Sequence, residues 1–105
     1  MNFVVLGRDR DPALRREERA AHLEYVADRQ ESIVFAGPLI EEGEMIGSIF
    51  VFDVPDRAAL DAHLAGDPYF TRPIFESVQI WETRRMVPES EPGFLRAEAQ
   101  RARSA

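Results

Sequence analysis

The residues of this chain best suited to chemistry are the run Gly66-Asp67-Pro68-Tyr69-Phe70 and His22, which lies in an arginine-rich segment well upstream. An imidazole titrates near neutrality, and a carboxylate beside it can orient the ring or take a proton itself. The two are the minimum equipment for general acid–base catalysis. In that reading His22 shuttles a proton, and Asp67 either fixes it or acts as the base. Each has a plainer alternative: His22 as a boundary residue of an amphipathic helix, Asp67 as a turn residue before proline. The two roles of Asp67 are compatible.

Tyr69 and Phe70 offer an aromatic wall for a planar or apolar substrate, and the Tyr69 hydroxyl can polarise an oxygen. Arg72 can clamp a carboxylate or phenolate through charge-assisted hydrogen bonds. The alternatives are side chains that close the core beneath a loop and an exposed surface arginine. His63, three residues after Leu60, reads as structural. His22, His63 and Asp67 are the types of a two-histidine, one-carboxylate metal site, but they lack the local ligand spacing of a metal motif, and no metal is expected.

The chemistry is narrowed by what the chain lacks. It has no cysteine, which removes disulfides, thiolate nucleophiles and cysteine-held clusters. It has no lysine, which removes Schiff-base catalysis, lysine-anchored pyridoxal phosphate and the phosphate-binding lysine of a P-loop. The net charge of −6, from 19 acidic and 13 basic residues, opposes a nucleic-acid backbone. Arg84-Arg85 is the one basic pair expected on a strand. No run approaches the roughly 18 apolar residues that cross a bilayer, and Met1 to Leu6 meets charge at Arg8 too early for a signal peptide. A cytoplasmic location without membrane contact is expected.

The elements that must position these residues follow from hydrophobic period and punctuation. Asn2 to Leu6 reads as a strand closed by Gly7. Asp11-Pro12 opens a helix to about Arg29, with Leu14, Ala21 and Tyr25 on its inner face and His22 beside that stripe. Ile33 to Ala36 is a strand ending at Gly37-Pro38. Glu41-Glu42-Gly43-Glu44 supplies a hairpin turn into a strand from Met45 to about Val54. Asp56 caps a second helix, with Ala59, Leu60 and Leu64 apolar, which Gly66 and Pro68 stop. A last strand covers roughly Ser77 to Met86. Arg8 to Asp11 read as a solvated loop and Arg15 to Glu18 as a solvated helical face.

The order is βαββαβ, the ferredoxin-like α+β arrangement. Residues 1–87 form one domain, and 88–105 are a linker, Pro88 to Gly93, followed by a short amphipathic helical tail. The helices of such a sheet lie on one face, yet Phe3-Val4-Val5-Leu6 and Ile49-Phe50-Val51-Phe52 are apolar on both. A second copy packed sheet against sheet is the cheapest cover, so a homodimer is expected. Loops and tail covering the face of a monomer are the alternative. A domain of 105 residues is also too small to enclose a deep pocket by itself.

Three segments in order, Arg15 to Tyr25, Ala36-Gly37-Pro38-Leu39 and Gly66-Asp67-Pro68-Tyr69, resemble the YciI-related (YCII) domain over about Met1 to Met86. The resemblance implies a ferredoxin-like subunit of the dimeric α/β barrel superfamily. It also implies a site made from the first-helix histidine and the aspartate of the Asp-Pro-Tyr motif, here His22 and Asp67. Relatives include a cofactor-free dehydrochlorinase acting on a hydroxylated ring, lactone isomerases and small monooxygenases without metal or flavin. The expected function is a cofactor-independent lyase or isomerase acting on a small oxygenated molecule, aromatic rings included. The rivals are a non-catalytic dimeric module that binds a small metabolite and a cofactor-free monooxygenase.

Overall fold

A computed structural model describes all 105 residues. Four strands, β1 (Asn2–Asp9), β2 (Ile33–Glu41), β3 (Glu44–Asp53) and β4 (Phe75–Thr83), form one antiparallel sheet in the order β2-β3-β1-β4. Helices α1 (Pro12–Ala27), α2 (Arg57–Gly66) and the short α3 (Pro68–Thr71) supply the crossovers, and α4 (Phe94–Ser104) ends the chain. This is the α+β ferredoxin-like fold.

Local chemistry explains the boundaries. Asp11 accepts the Ala13 N–H at 2.9 Å with Pro12 at the first helical position, and Asp56 accepts the Ala59 N–H at 2.9 Å. The β2–β3 turn runs through Glu42 and Gly43, both at positive φ (51° and 80°), as a two-residue hairpin of right-handed twist requires. The core is one face of the sheet: Phe3 and Val5 of β1 and Phe50 and Phe52 of β3 pack against Leu60, Leu64, Tyr69 and Ile74. Each such side chain contributes about 1.5–3 kcal/mol on burial.

Several boundaries and faces differ from the sequence expectation. β2 runs through Pro38 to Glu41 instead of stopping at Gly37, because β2 is an edge strand and a proline there forfeits no necessary ladder bond. β4 begins at Phe75 and ends at Thr83, so Arg84 and Arg85 follow the strand. Pro68 opens α3 instead of a plain loop. On α1 Ala21 is exposed, and the buried residues are Arg15 and His22, two turns apart. Arg15 therefore leaves the solvated face, and Asp9 leaves the solvated loop, because the two pair inside the protein.

The opposite face of the sheet carries a register row Phe35, Val51, Val4, Trp81, with Ile49 and Leu6 alongside. Phe35 and Trp81 are 59% and 51% exposed, so this face is apolar and open. α4 buries none of its residues; Glu89 caps it by accepting the Gly93 and Leu95 N–H groups. The molecule extends 52 Å along its longest axis and its radius of gyration is 16.4 Å, against about 13 Å for a compact domain of this length. No helix is long and apolar enough to cross a membrane.

Candidate active site

His22 and Asp67, 45 residues apart, meet between α1 and the α2–α3 junction. The junction is tightly specified. Gly66 ends α2 directly under Tyr25, where a Cβ would come 2.6 Å from the phenolic oxygen, and Tyr25 donates to the His63 carbonyl at 2.6 Å. That contact docks the end of α2 on α1. Asp67 then caps α3 with its side chain, Oδ1 accepting the Tyr69 N–H at 2.9 Å. The same Oδ1 accepts from His22 Nδ1 at 2.8 Å. Cap and histidine partner are one oxygen.

Both groups are enclosed, with side chains 10% and 1% exposed for His22 and Asp67. A carboxylate can only accept, so the ring carries a proton on Nδ1 and leaves Nε2 as the free nitrogen. Nε2 has no partner within the chain and keeps solvent contact. The ring stacks flat on Tyr69, centroids 3.7 Å apart and planes 3° apart, and meets the edge of Phe50 at 5.9 Å. These contacts limit it to one orientation.

His22 borders a cavity of about 240 Å³ between α1 and the β2–β3 hairpin, walled by Arg15, Arg19, Ser48, Phe50, Pro38 and Tyr69 among others. Arg15 is fixed in place: Nε meets Asp9 Oδ2 at 2.6 Å, Nη2 meets Asp9 Oδ1 at 3.0 Å, and Nη2 also donates to Ser48 Oγ at 2.6 Å. Its guanidinium carbon lies 5.0 Å from the Tyr69 ring centre. Burial pushes the Tyr69 phenol above its usual 10.0, with Arg15 and Arg19 opposing, so the hydroxyl stays protonated at neutral pH. Arg19 has no ion-pair partner and brings an uncompensated positive charge to the cavity wall.

The other residues singled out from sequence fall elsewhere. Phe70 turns into the core, 5.4 Å from Phe50 and 5.2 Å from Phe75, and does not border the cavity. Arg72 is exposed and faces Glu18 at 3.8 Å, outside the cavity. α3 explains both: its helical turn sends Tyr69 inward towards His22 and carries Arg72 past the opening. Sequence reasoning missed Asp9, Arg15, Arg19 and Ser48. Arg15 was detectable in principle, since it lies seven residues before His22 and shares its helical face. Asp9 and Ser48 carry no local signal. No group of three or more histidine, aspartate or glutamate side chains is arranged to hold a metal ion.

Residues 1–84 match the YCII-related domain. The chain belongs to this family. Solved structures share the YCII-type fold. The 5-chloro-2-hydroxyhydroquinone dehydrochlorinase from Burkholderia phenoliruptrix, in complex with 2,5-dihydroxybenzoquinone, is 21% identical over 86% of this chain and 100% of its own, with a TM-score of 0.75. Muconolactone isomerase is 21% identical over 87% of this chain and 96% of its own, with a TM-score of 0.61. A cofactor-independent oxygenase from Streptomyces nogalater is 23% identical over 84% and 96%, with a TM-score of 0.51. At these identities the likeness establishes the fold. No curated protein matches the sequence.

Proposed function

We propose that this YCII-related protein is a cofactor-independent acid–base enzyme that carries out elimination or isomerisation on a small oxygenated molecule. One observation carries the reading: His22 is bonded through Nδ1 to a fully enclosed Asp67 while Nε2 remains free on the wall of a cavity. Asp67 holds the ring in the tautomer whose Nε2 lone pair can take a proton and stabilises the imidazolium that forms. In an elimination Nε2 removes a proton from a carbon or hydroxyl, the electron pair forms a double bond, and the leaving group departs as an anion. In an isomerisation the same proton returns to a different atom. Neither needs an electron acceptor.

The walls suit such a substrate. An apolar cavity of about 150 Å³ accepts benzene, so about 240 Å³ takes one ring with a few substituents. Phe50 and Pro38 cover its body, the protonated Tyr69 hydroxyl can donate to an oxygen, and Arg19 favours an anionic group such as an enolate or phenolate. The dehydrochlorinase of the same fold is named for a chlorinated hydroxyhydroquinone, which is consistent with this class. General acid–base action supplies roughly 10² to 10⁴ in rate, and positioning in the cleft must add the rest.

The working form in this proposal is a homodimer with the open sheet faces in contact, which would withdraw Phe35, Val51, Val4 and Trp81 from water. Light scattering that finds only the 12.0 kDa species at micromolar concentration refutes the assembly. For the chemistry, imidazole NMR of the native protein and Asp67→Asn is the test. The imidazole signals of His22 are expected to differ between the two proteins, because the anion bonded to its Nδ1 is gone in the variant. Identical signals in the two proteins leave the acid–base role without support and favour a passive binding module.

A further inference from the structure

The proton chemistry above leaves a buried donor on the same cavity wall without a role. Ser48 of β3 is 3% exposed and borders the cavity with His22, and its Oγ accepts from Arg15 Nη2 at 2.6 Å. A hydroxyl also has one proton to give, and that of Ser48 meets no acceptor in the chain. The bond received from a cation draws electron density from Oγ, which makes Ser48 a poor nucleophile and a stronger donor. Arg15 is held just as firmly. Asp9 takes its Nε and Nη2 at 2.6 and 3.0 Å, whereas Nη1 has no hydrogen-bond partner and is not sealed from solvent. A buried ion pair of this kind adds little stability over apolar side chains of its size, so stability alone does not account for it.

Two elements bring these donors to the side of the cavity where His22 stands. On α1, Arg15 precedes His22 by two turns and shares its buried face. On β3, Ser48 precedes Phe50 by two residues, which points both side chains to the same side of the sheet, and Phe50 meets the His22 ring at 5.9 Å. The Tyr69 ring touches both partners, its centre 3.7 Å from that of the His22 ring and 5.0 Å from the Arg15 guanidinium carbon. A single substituted ring in the cavity therefore reaches His22 and the Arg15–Ser48 donors together.

We propose that the Ser48 hydroxyl and Arg15 Nη1 form an oxyanion-binding pair, and that the substrate carries an ionisable oxygen, that of a phenol or an enolisable carbonyl, which they receive. This deepens the acid–base reading and rests on it. His22 Nε2 takes a proton from the substrate hydroxyl, or from the carbon beside its carbonyl. The electron pair left behind resides on the oxygen. That oxygen, now a phenolate or enolate, accepts from Ser48 Oγ–H and Arg15 Nη1–H. Because Asp9 fixes the guanidinium and the guanidinium fixes Ser48, the donors are in place before the charge forms, without the reorganisation that water would need.

4-Nitrophenol, whose anion absorbs in the visible, tests this on the full chain without turnover. With protein in excess, so that all the probe is bound, absorbance against pH reads the ionisation of the bound phenol. Ser48→Ala leaves Arg15 both its Asp9 contacts, so the fold is kept. In that variant the bound phenol should ionise about one pH unit higher, the loss of one hydrogen bond to a charged group. Asp9→Leu with Arg15→Met, which strands no charge, should shift it in the same direction. Unchanged ionisation in either variant, or a native protein that fails to bind the probe at millimolar concentration, overturns the inference; a merely structural Ser48 would lower the unfolding midpoint and leave this ionisation alone. The His22 signals in Asp67→Asn are read separately, so the His22–Asp67 pair can stand when the oxygen site falls. Should those signals prove identical while the Ser48→Ala shift is seen, the oxygen site stands and only its part in proton transfer falls.

Discussion

Removing either member of the Arg15–Asp9 pair should take away a large share of the protein's stability, and removing both should not. The guanidinium and carboxylate are 7% and 5% exposed and joined by two contacts of 2.6 and 3.0 Å. Asp9→Leu leaves a buried cation whose only remaining partner is the Ser48 hydroxyl, and Arg15→Met leaves a buried anion. Each is expected to cost about 3–5 kcal/mol, out of a total of about 5–15 kcal/mol for a domain. In the double variant no charge is stranded. The Ser48 hydroxyl loses one hydrogen bond and Tyr69 loses its overlying cation, together about 2 kcal/mol. Urea unfolding of all four proteins gives the cycle, with a coupling of at least about 4 kcal/mol expected. Single and double changes that add to within about 0.5 kcal/mol would refute the argument, because they would mean that water already screens the pair.

Four further expectations follow from packing and titration. Because burial raises the Tyr69 phenol in the folded state, the unfolded chain ionises first; stability is intact below pH 10.0 and falls above it, a loss that urea titration should find absent from Tyr69→Phe. His63 has the opposite sense: its folded value lies below 6.5, so stability is full above that pH and declines as pH falls through the window beneath it, and His63→Phe should flatten this acid limb. Gly47→Ala places a Cβ 2.2 Å from the Gly7 carbonyl oxygen and should cost about 2 kcal/mol or more as β1 and β3 separate, whereas Gly37→Ala meets nothing nearer than the Phe35 ring at 3.9 Å and should lower the thermal midpoint little. Removal of residues 88–105 should leave the unfolding midpoint nearly unchanged, since no residue of α4 is fully buried; a substantial fall would show that the tail docks.

Much of the architecture was legible because it is written in short-range chemistry. Asp11-Pro12 and Asp56 cap helices by satisfying backbone donors two or three residues away, and Glu42-Gly43 sets a hairpin by its own dihedral angles. The Asp-Pro-Tyr run, with His22 and Gly37-Pro38, also carried the family resemblance. The expectation went astray where a residue's neighbours are distant in sequence. Pro38 looked like a strand end, but strand order made it an edge position that tolerates a proline. Ala21 looked like core, but α1 turns Arg15 and His22 inward, where Asp9 and Asp67 from other elements pair with them. Phe70 looked like part of a substrate wall and Arg72 like an anion clamp, but Phe70 packs against Phe50 and Phe75 and Arg72 faces Glu18 outside the cavity.

The order of elements, their caps and turns, and the presence of an imidazole and a carboxylate able to move a proton were determined by the sequence alone, since each depends on residues a few positions apart. Tertiary structure decided that His22 and Asp67 touch across 45 residues and that Asp9 and Ser48 lock Arg15 on the wall of the same cavity. Those contacts arise when the sheet, α1 and α2 pack together. Packing answers to shape and burial over the whole core, which no local pattern encodes.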